Sequence, residues 1–405
     1  MKEKNPESPE ARMTKNERIE TYLQKYYDFR FNIVKSKPEF REKGTDNPFS
    51  PVSKFDINSF KRKMNNTLGI FTSSDNIRAI LESDFMPKVH PIREYFNNFA
   101  RIDPKSNRCI RQLAQTVTVT NSEKWLEYLV KWLNGVVANA FHDVGCQNHT
   151  CLVLTGEQGR FKTTWLDHLC PQSLQNYLFT GKIDPQNKDV LTLIAEDLFI
   201  NIDDQLKELN KRDENELKNL ITTPAVKYRR PYDVYIEEYP HLASFMASVN
   251  GNEFLTDPTG SRRFLPFEII SIDIDAALKI NMDDVFSEIL WLYESGYRYW
   301  FDISEIEELH AKSRQFHVQT IEYELLMQGF EKPETNESDC FMTTSEVMGY
   351  LKSYTPLQLS EKRMGEALRK GGFERTVKRI GNNPNPVYGY RIKKVYPNPF
   401  IDRIV

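Results

Sequence analysis

The chain of 405 residues carries a formal net charge of −3, with 40% apolar, 27% charged and 12% aromatic residues, the balance of a folded protein rather than a disordered or collagen-like one. No apolar run reaches the roughly 20 residues that a spanning helix needs, and the first 20 residues lack the apolar core of a signal peptide, so neither membrane insertion nor secretion is expected. Cys109, Cys146, Cys151, Cys170 and Cys340 are odd in number and irregular in spacing, which suits a reducing compartment, and a cytoplasmic protein is expected.

A chain of this length exceeds what one core serves, so two or three domains are expected. Residues 1–15 are rich in Lys, Glu, Pro and Ser and are predicted to be disordered. Residues 16–121 read as a helical N-terminal domain, with amphipathic pieces at 17–29, 57–66 and 74–81 and no primase-like acidic triad. From 122 to 330 helices alternate with short apolar runs, the pattern of a layered α/β domain. Trp125, Leu129, Leu133, Val136 and Ala140 share one face of a helix over 123–141, and strands are predicted at 151–154, 198–202, 242–249 and 264–270. A helix over 304–328 then gives way to a polar, acidic stretch at 331–340, read as a linker. The remaining residues, 341–405, hold 12 Lys or Arg against 5 Asp or Glu, a balance of +7 that leaves −10 for the rest of the chain. A basic terminal unit on an acidic body points to a phosphate-bearing partner.

The first chemical signal follows the strand at 151–154. Gly156, Glu157, Gln158, Gly159, Arg160, Phe161, Lys162, Thr163 and Thr164 form a Gly-containing loop ending in Lys-Thr before a helix. Backbone N–H groups of such a loop wrap phosphates, Lys162 would neutralise the β/γ oxygens, and the Thr163 hydroxyl would ligate Mg²⁺. Phe161 stands where the usual pattern has Gly, and a left-handed backbone there would be strained. About 40 residues on, an apolar strand ends in Asp203-Asp204, a pair suited to holding Mg²⁺ and orienting the attacking water; taken alone it also fits a solvated turn. A third strand ends in Asn250, which can hold the lytic water or the γ-phosphate, or can be a turn Asn before Gly251. Arg262 and Arg263 open the next strand, and guanidinium groups suit transition-state phosphate oxygens. Between the second and third elements Lys227, Arg229 and Arg230 interleave with Tyr228 and Tyr232, a candidate single-strand-binding loop or a solvated basic turn.

Towards the end of the chain, Thr343 and Glu346 fit a capping box, and a second helix after Ser360 leaves Lys362, Arg363, Arg369 and Lys370 available on its outer side. Strands at 375–380 and 387–395 then flank a Gly/Asn/Pro loop at 381–386. Helix, helix and hairpin match a winged helix, which binds DNA through its second helix or serves protein contacts. His142, Cys146, His149 and Cys151 form a chemically acceptable zinc set, but Cys151 opens a strand and His142 ends a helix, so structural roles are favoured.

The phosphate loop, acidic pair, Asn and arginine pair, in this order over residues 116–270, resemble the virulence-associated protein E family, a branch of the superfamily 3 helicases within the AAA+ ATPases. By this resemblance residues 156–163 are Walker A, Asp203 and Asp204 Walker B with Asp203 and Thr163 on Mg²⁺, Asn250 the sensor-1 residue, and Arg262 or Arg263 the arginine finger. The basic loop falls where superfamily 3 helicases carry a DNA-contacting loop. The resemblance implies a multidomain α/β protein with a helical N-terminal domain, an AAA+ P-loop core and a C-terminal winged-helix domain. It further implies ATP and Mg²⁺ as cofactors, DNA as partner and a homo-oligomer, hexameric by expectation. A DNA helicase or remodeller of a phage or mobile-element replication module is the leading reading. A non-motor ATP switch that loads or recruits a replication factor, or a DNA-binding regulator with a decayed ATP site, are the alternatives.

Overall fold

The computed structural model describes residues 13–230, 233–256, 261–313, 316, 320–333, 340–379 and 386–396. The expected disorder of residues 1–12, Pro231 and Tyr232 of the basic loop, the turn at 257–260, the linker centre at 334–339 and most of the loop at 381–386 lie outside these residues. Contacts divide the chain into two units, Met1–Gln315 and Phe316–Val405.

The first unit opens with α1 (Lys15–Tyr26), whose capping box joins the Thr14 side chain to the Glu17 backbone and the Glu17 carboxylate to the Thr14 backbone. The predicted helix at 17–29 stops at Tyr26 because Tyr27, Phe29 and Phe31 alternate with Asp28, Arg30 and Asn32, a period of two that belongs to a strand. β1 (Tyr27–Asn32), β2 (Lys37–Glu42), β3 (Ser50–Pro51) and, beyond α2 (Lys54–Leu68) and α3 (Ser74–Leu81), β4 (Lys88–Val89) form a sheet in the order β3-β2-β1-β4. The region read as helical is therefore mixed, and its sheet meets α2 through the rings of Phe29, Phe40 and Phe60, with centroids 5.2 to 6.1 Å apart.

Three short helices, α4 (Pro91–Asn97), α5 (Pro104–Asn107) and α6 (Cys109–Gln115), lead to β5 (Val117–Val119) and the long α7 (Trp125–Phe141). Then follow β6 (Cys151–Gly156), α8 (Lys162–His168), β7 (Leu178–Gly181), α9 (Asp189–Glu196), β8 (Phe199–Asp203), a 3₁₀ turn at Leu206–Glu208 and α10 (Lys211–Thr222). A hairpin of β9 (Ala225–Tyr228) and β10 (Glu237–Pro240) precedes β11 (Ser244–Asn250) and β12 (Phe264–Ile272). Three helices close the unit: α11 (Ile274–Ala277), α12 (Met282–Glu294) and α13 (Ile303–Ser313).

The central sheet runs β5-β12-β6-β11-β8-β7. All of it is parallel except β5, which pairs antiparallel with β12. Parallel strands covered on both faces read as continuous apolar runs, and every residue of β6 is buried. Each buried Leu or Val there contributes about 1.5–3 kcal/mol. The helix α7 lies against the sheet with Trp132 fully buried, its indole N–H donating to the Thr150 carbonyl at 3.1 Å. That bond fixes the chain just where it enters β6.

In the second unit α14 (Ile321–Gly329) and β13 (Phe330–Glu331) precede β14 (Phe341–Met342), α15 (Thr344–Lys352), α16 (Glu361–Lys370), β15 (Arg375–Lys378), β16 (Val387–Arg391) and β17 (Lys393–Lys394). The single helix predicted at 304–328 is thus two, one in each unit. Residues 330–331, where the linker was expected to begin, are a strand paired with β17. A three-stranded sheet runs β14-β16-β15, and Val347, Leu351, Met364, Leu368 and Tyr390 build the core. The predicted capping box forms, with the Glu346 N–H reaching Thr343 Oγ1 at 3.2 Å and the Thr343 N–H reaching Glu346 Oε2 at 2.7 Å. Among the described residues no helix is long and apolar enough to cross a membrane.

Candidate functional site

Three parallel strands deliver the predicted residues to one end of the central sheet. β6 and β8 flank β11, with Asn250 in register with Gly156 and Ser248 in register with Asp203. The loop leaves β6 at Gly156, whose φ of 137° and whose absent Cβ, which would lie 2.9 Å from the Ile269 carbonyl oxygen, both require glycine. The Gly251 N–H donates to the Gly156 carbonyl at 2.9 Å, tying the end of β11 to the start of the loop. Gly159 turns at φ 79° in open space. Glu157 and Arg160 pair across the exposed loop at 2.5 Å, while Gln158 and Thr164 face solvent. Phe161, 54% exposed, caps α8 in the left-handed conformation, φ 58°, so the strain expected at this position is present.

Lys162 is buried, and its ammonium donates to the Glu157 carbonyl at 2.7 Å, the Gly156 carbonyl at 3.1 Å and Asn250 Oδ1 at 3.2 Å. Burial holds its pKa below the ordinary 10.5, with Asp204 and Asp203 acting in the opposite direction. Asp203 Oδ1 accepts from the Thr163 hydroxyl at 2.7 Å and the Ser248 hydroxyl at 2.8 Å, and the two hydroxyl oxygens are 3.1 Å apart. Asp204, at φ 48°, takes both donors of Asn250, the backbone N–H at 3.0 Å and the side-chain Nδ2 at 2.6 Å. Loop, acidic pair and Asn therefore form one connected hydrogen-bond network. The oxygens of Thr163 and Asp203 are hard donors of the kind Mg²⁺ takes, and Lys162 beside them matches a phosphate.

Two members of this end of the sheet carried no signal in the reading of the sequence. Ser248 lies two residues before Asn250, and the strand period of two places both on the same face. Lys207, in the 3₁₀ turn after the acidic pair, brings its ammonium to 3.6 Å from the position a Cβ on Gly251 would occupy. It follows Asp204 by three residues, a spacing that one tight turn folds back.

Arg262 and Arg263 lie elsewhere. They precede Phe264, which pairs with Cys151 at the start of β6, whereas the phosphate loop leaves β6 at its other end. At about 3.3 Å per residue, the five residues from 151 to 156 span about 16 Å. The arginines line a cavity of about 350 Å³ with Tyr299, Trp300 and His149. Among the described residues Arg263 Nε is buried without a hydrogen-bond partner, and burial together with Arg262 lowers the Arg263 pKa.

Of the basic loop, Lys227 is exposed and pairs with Glu238 at 3.3 Å, and Arg229 is exposed. Arg230 does not join them. Its Nε donates to Glu196 at 3.1 Å, its Nη2 to the Val34 carbonyl at 2.7 Å, and its guanidinium stacks 4.3 Å from the Tyr239 ring. Arg230 is only 9% exposed, and with two of its donors and its face engaged inside the protein it acts as an internal brace rather than a surface contact. Lys362, Arg363, Arg369 and Lys370 are all exposed on α16. Of the zinc candidates, the Cys146 thiol donates to the Asn148 and Ile221 carbonyls, and ring nitrogens of His142 and His149 meet the Ala138 and Cys146 carbonyls. Burial raises the thiol pKa of Cys146 and Cys151.

Residues 102–320, more than half of the chain, match the family model of the virulence-associated protein E-like domain. The chain belongs to this family. Its fold is similar to the apo structure of the NrS-1 C-terminal region (305–718), with a TM-score of 0.52 and 10% identity over 93% of this chain and 98% of that one. An A-form apo structure of the same region gives a TM-score of 0.50 at the same identity and coverage. No curated protein matches the chain. Family and fold agree with a mixed α/β, multidomain protein.

Proposed function

We propose that this chain is a Mg²⁺-dependent ATPase that acts on DNA in a phage or mobile-element replication module, with an AAA+ core of the superfamily 3 helicase type. The observation that carries the reading is the connected network of Lys162, Thr163, Asp203, Asp204 and Asn250 at the end of three neighbouring parallel strands. In this reading residues 156–164 cradle the phosphates and Lys162 exchanges its loop carbonyls for phosphate oxygens. Thr163 and Asp203 would hold Mg²⁺, which when bound neutralises charge on the transferring phosphoryl group. Ser248 keeps the Asp203 carboxylate turned towards Thr163. Asp204 orients the Asn250 amide, whose oxygen already faces the Lys162 ammonium.

Arg262 and Arg263 cannot serve the phosphates of their own chain from the opposite end of the sheet. A cavity lined by two guanidinium groups, one with a buried unpartnered N–H, supports the reading that they receive the nucleotide of a second copy. Repetition of that head-to-tail contact closes a ring, and a hexamer is the expected form. In the second unit the succession α14, β14, α15, α16, β15, β16 and the sheet order β14-β16-β15 support a winged helix. Its α16 would present Lys362, Arg363, Arg369 and Lys370 to DNA, with Lys227 and Arg229 as a further contact.

The deciding experiment is ATP hydrolysis by the purified protein with and without single-stranded DNA. Hydrolysis lost in Lys162→Ala, and Mg²⁺-dependent nucleotide binding lost in Asp203→Ala, are expected. Unchanged turnover in Lys162→Ala would remove the proposal. Strand separation on a forked duplex then distinguishes a motor from an ATP switch.

A further inference from the structure

We infer that Lys207 is a second cation of the phosphate site, contacting the terminal phosphate of the nucleotide bound to its own chain; the inference rests on the ATPase reading above. The ammonium stands beside Gly251, whose backbone N–H is bonded to Gly156, the first residue of the phosphate loop. Asn250, next in the chain, carries the amide that meets Lys162. Lys207 thus reaches the same mouth as Lys162, from the strand end that also brings the acidic pair.

The nearby carboxylates have hydrogen-bond or ion-pair partners other than this cation. Asp203 is taken by the Thr163 and Ser248 hydroxyls, Asp204 by the two N–H groups of Asn250, and Glu208 by Lys182 at 2.6 Å. Among the described residues none forms an ion pair with Lys207, which is exposed. An exposed lysine with no ion-pair partner among the described residues is available to a ligand anion. Gly251 has a φ of 85° that suits glycine, and a Cβ there would lie in van der Waals contact with the ammonium, at 3.6 Å. A triphosphate carries more charge than Lys162 and one Mg²⁺ balance, and the charge it adds over a diphosphate sits on its terminal group. The class of ligand that Lys207 selects is therefore a nucleoside triphosphate over the diphosphate.

The test measures equilibrium binding of ADP and of the slowly hydrolysed analogue ATPγS, each with Mg²⁺, to the wild-type full chain, Lys207→Met and Lys207→Arg. Loss of one charge-assisted hydrogen bond predicts that Lys207→Met binds ATPγS about 10- to 100-fold more weakly. ADP affinity is expected to stay within about twofold, and Lys207→Arg to recover part of the preference. Thermal midpoints of the three proteins should coincide, because the side chain is exposed. Equal weakening of both nucleotides in Lys207→Met, or no weakening of either, overturns the inference while leaving the ATPase reading intact. Wild-type protein that binds neither nucleotide overturns both.

Discussion

Replacing Phe161 by glycine and by alanine isolates the strain stored in the phosphate loop. Both substitutions remove the same half-exposed ring, so the lost burial cancels between them, and the two variants differ only in the cost of φ 58°. A left-handed backbone costs an L-residue about 1–2 kcal/mol. Glycine avoids that cost but gives up about 0.5–1 kcal/mol through the greater freedom of its unfolded chain. The glycine variant should therefore be the more stable by about 0.5–1 kcal/mol, a two- to fivefold difference in the folding equilibrium. The usual order at helical positions is the reverse, with alanine ahead by about 1 kcal/mol. Urea unfolding followed by far-UV circular dichroism, with equal slopes for the two variants, reads the difference directly. If Phe161→Ala matches or exceeds Phe161→Gly in stability, the residue is not held in the left-handed region and the strain argument fails.

Acid should weaken the first unit through His90. Burial, with a smaller push from Arg93 and an opposing pull from Asp143, lowers its pKa from 6.5 to about 4, and its Nδ1 accepts the Arg93 N–H that begins α4 only while neutral. Because the folded value lies below the unfolded one, the contribution is fully present above pH 6.5 and is lost as pH falls towards 4, about 3 kcal/mol in all. Between pH 6.5 and 4 the urea midpoint of wild type should fall relative to that of His90→Asn, an uncharged residue that can still cap α4; parallel curves would refute it. Deleting residues 341–405 should weaken DNA binding and lower its salt dependence, because that span holds the excess of positive charge. Superimposable titrations at two salt concentrations would assign the unit to protein contacts. Mixing Lys162→Ala with Arg262→Ala/Arg263→Ala, each inactive alone, should restore part of the ATPase activity, since some interfaces combine an intact loop with an intact arginine pair. Full activity of the double variant by itself would rule out a shared site.

The features legible from the sequence alone are those that local chemistry decides. A buried parallel strand must be apolar throughout, a phosphate loop needs glycine where its backbone turns and Lys-Thr where the helix begins, and acids or amides mark strand ends. Hence β6, β8, β11 and β12 and the residues Lys162, Thr163, Asp203 and Asn250 stand out in order along the chain. The alternation in Tyr27–Asn32 was equally local, but the helical pattern of residues 17–26 runs straight into it and masks the change of period.

The remaining placements depend on register and on which groups are already satisfied. Sequence alone leads one of Arg262 and Arg263 to be expected at the nucleotide of a neighbouring copy, and only the pairing of Phe264 with Cys151 shows how far they lie from their own phosphate loop, at the other end of β6. Arg230 is indistinguishable from Arg229 in sequence, yet Glu196, Val34 and Tyr239, drawn from distant segments, hold it buried. Ser248 and Lys207 acquire their places because two neighbouring strands end level with the loop. Spacing along a chain says which residue types are near one another in order; the hydrogen-bond register of a sheet determines which of them share a site, because it sets their separation in space.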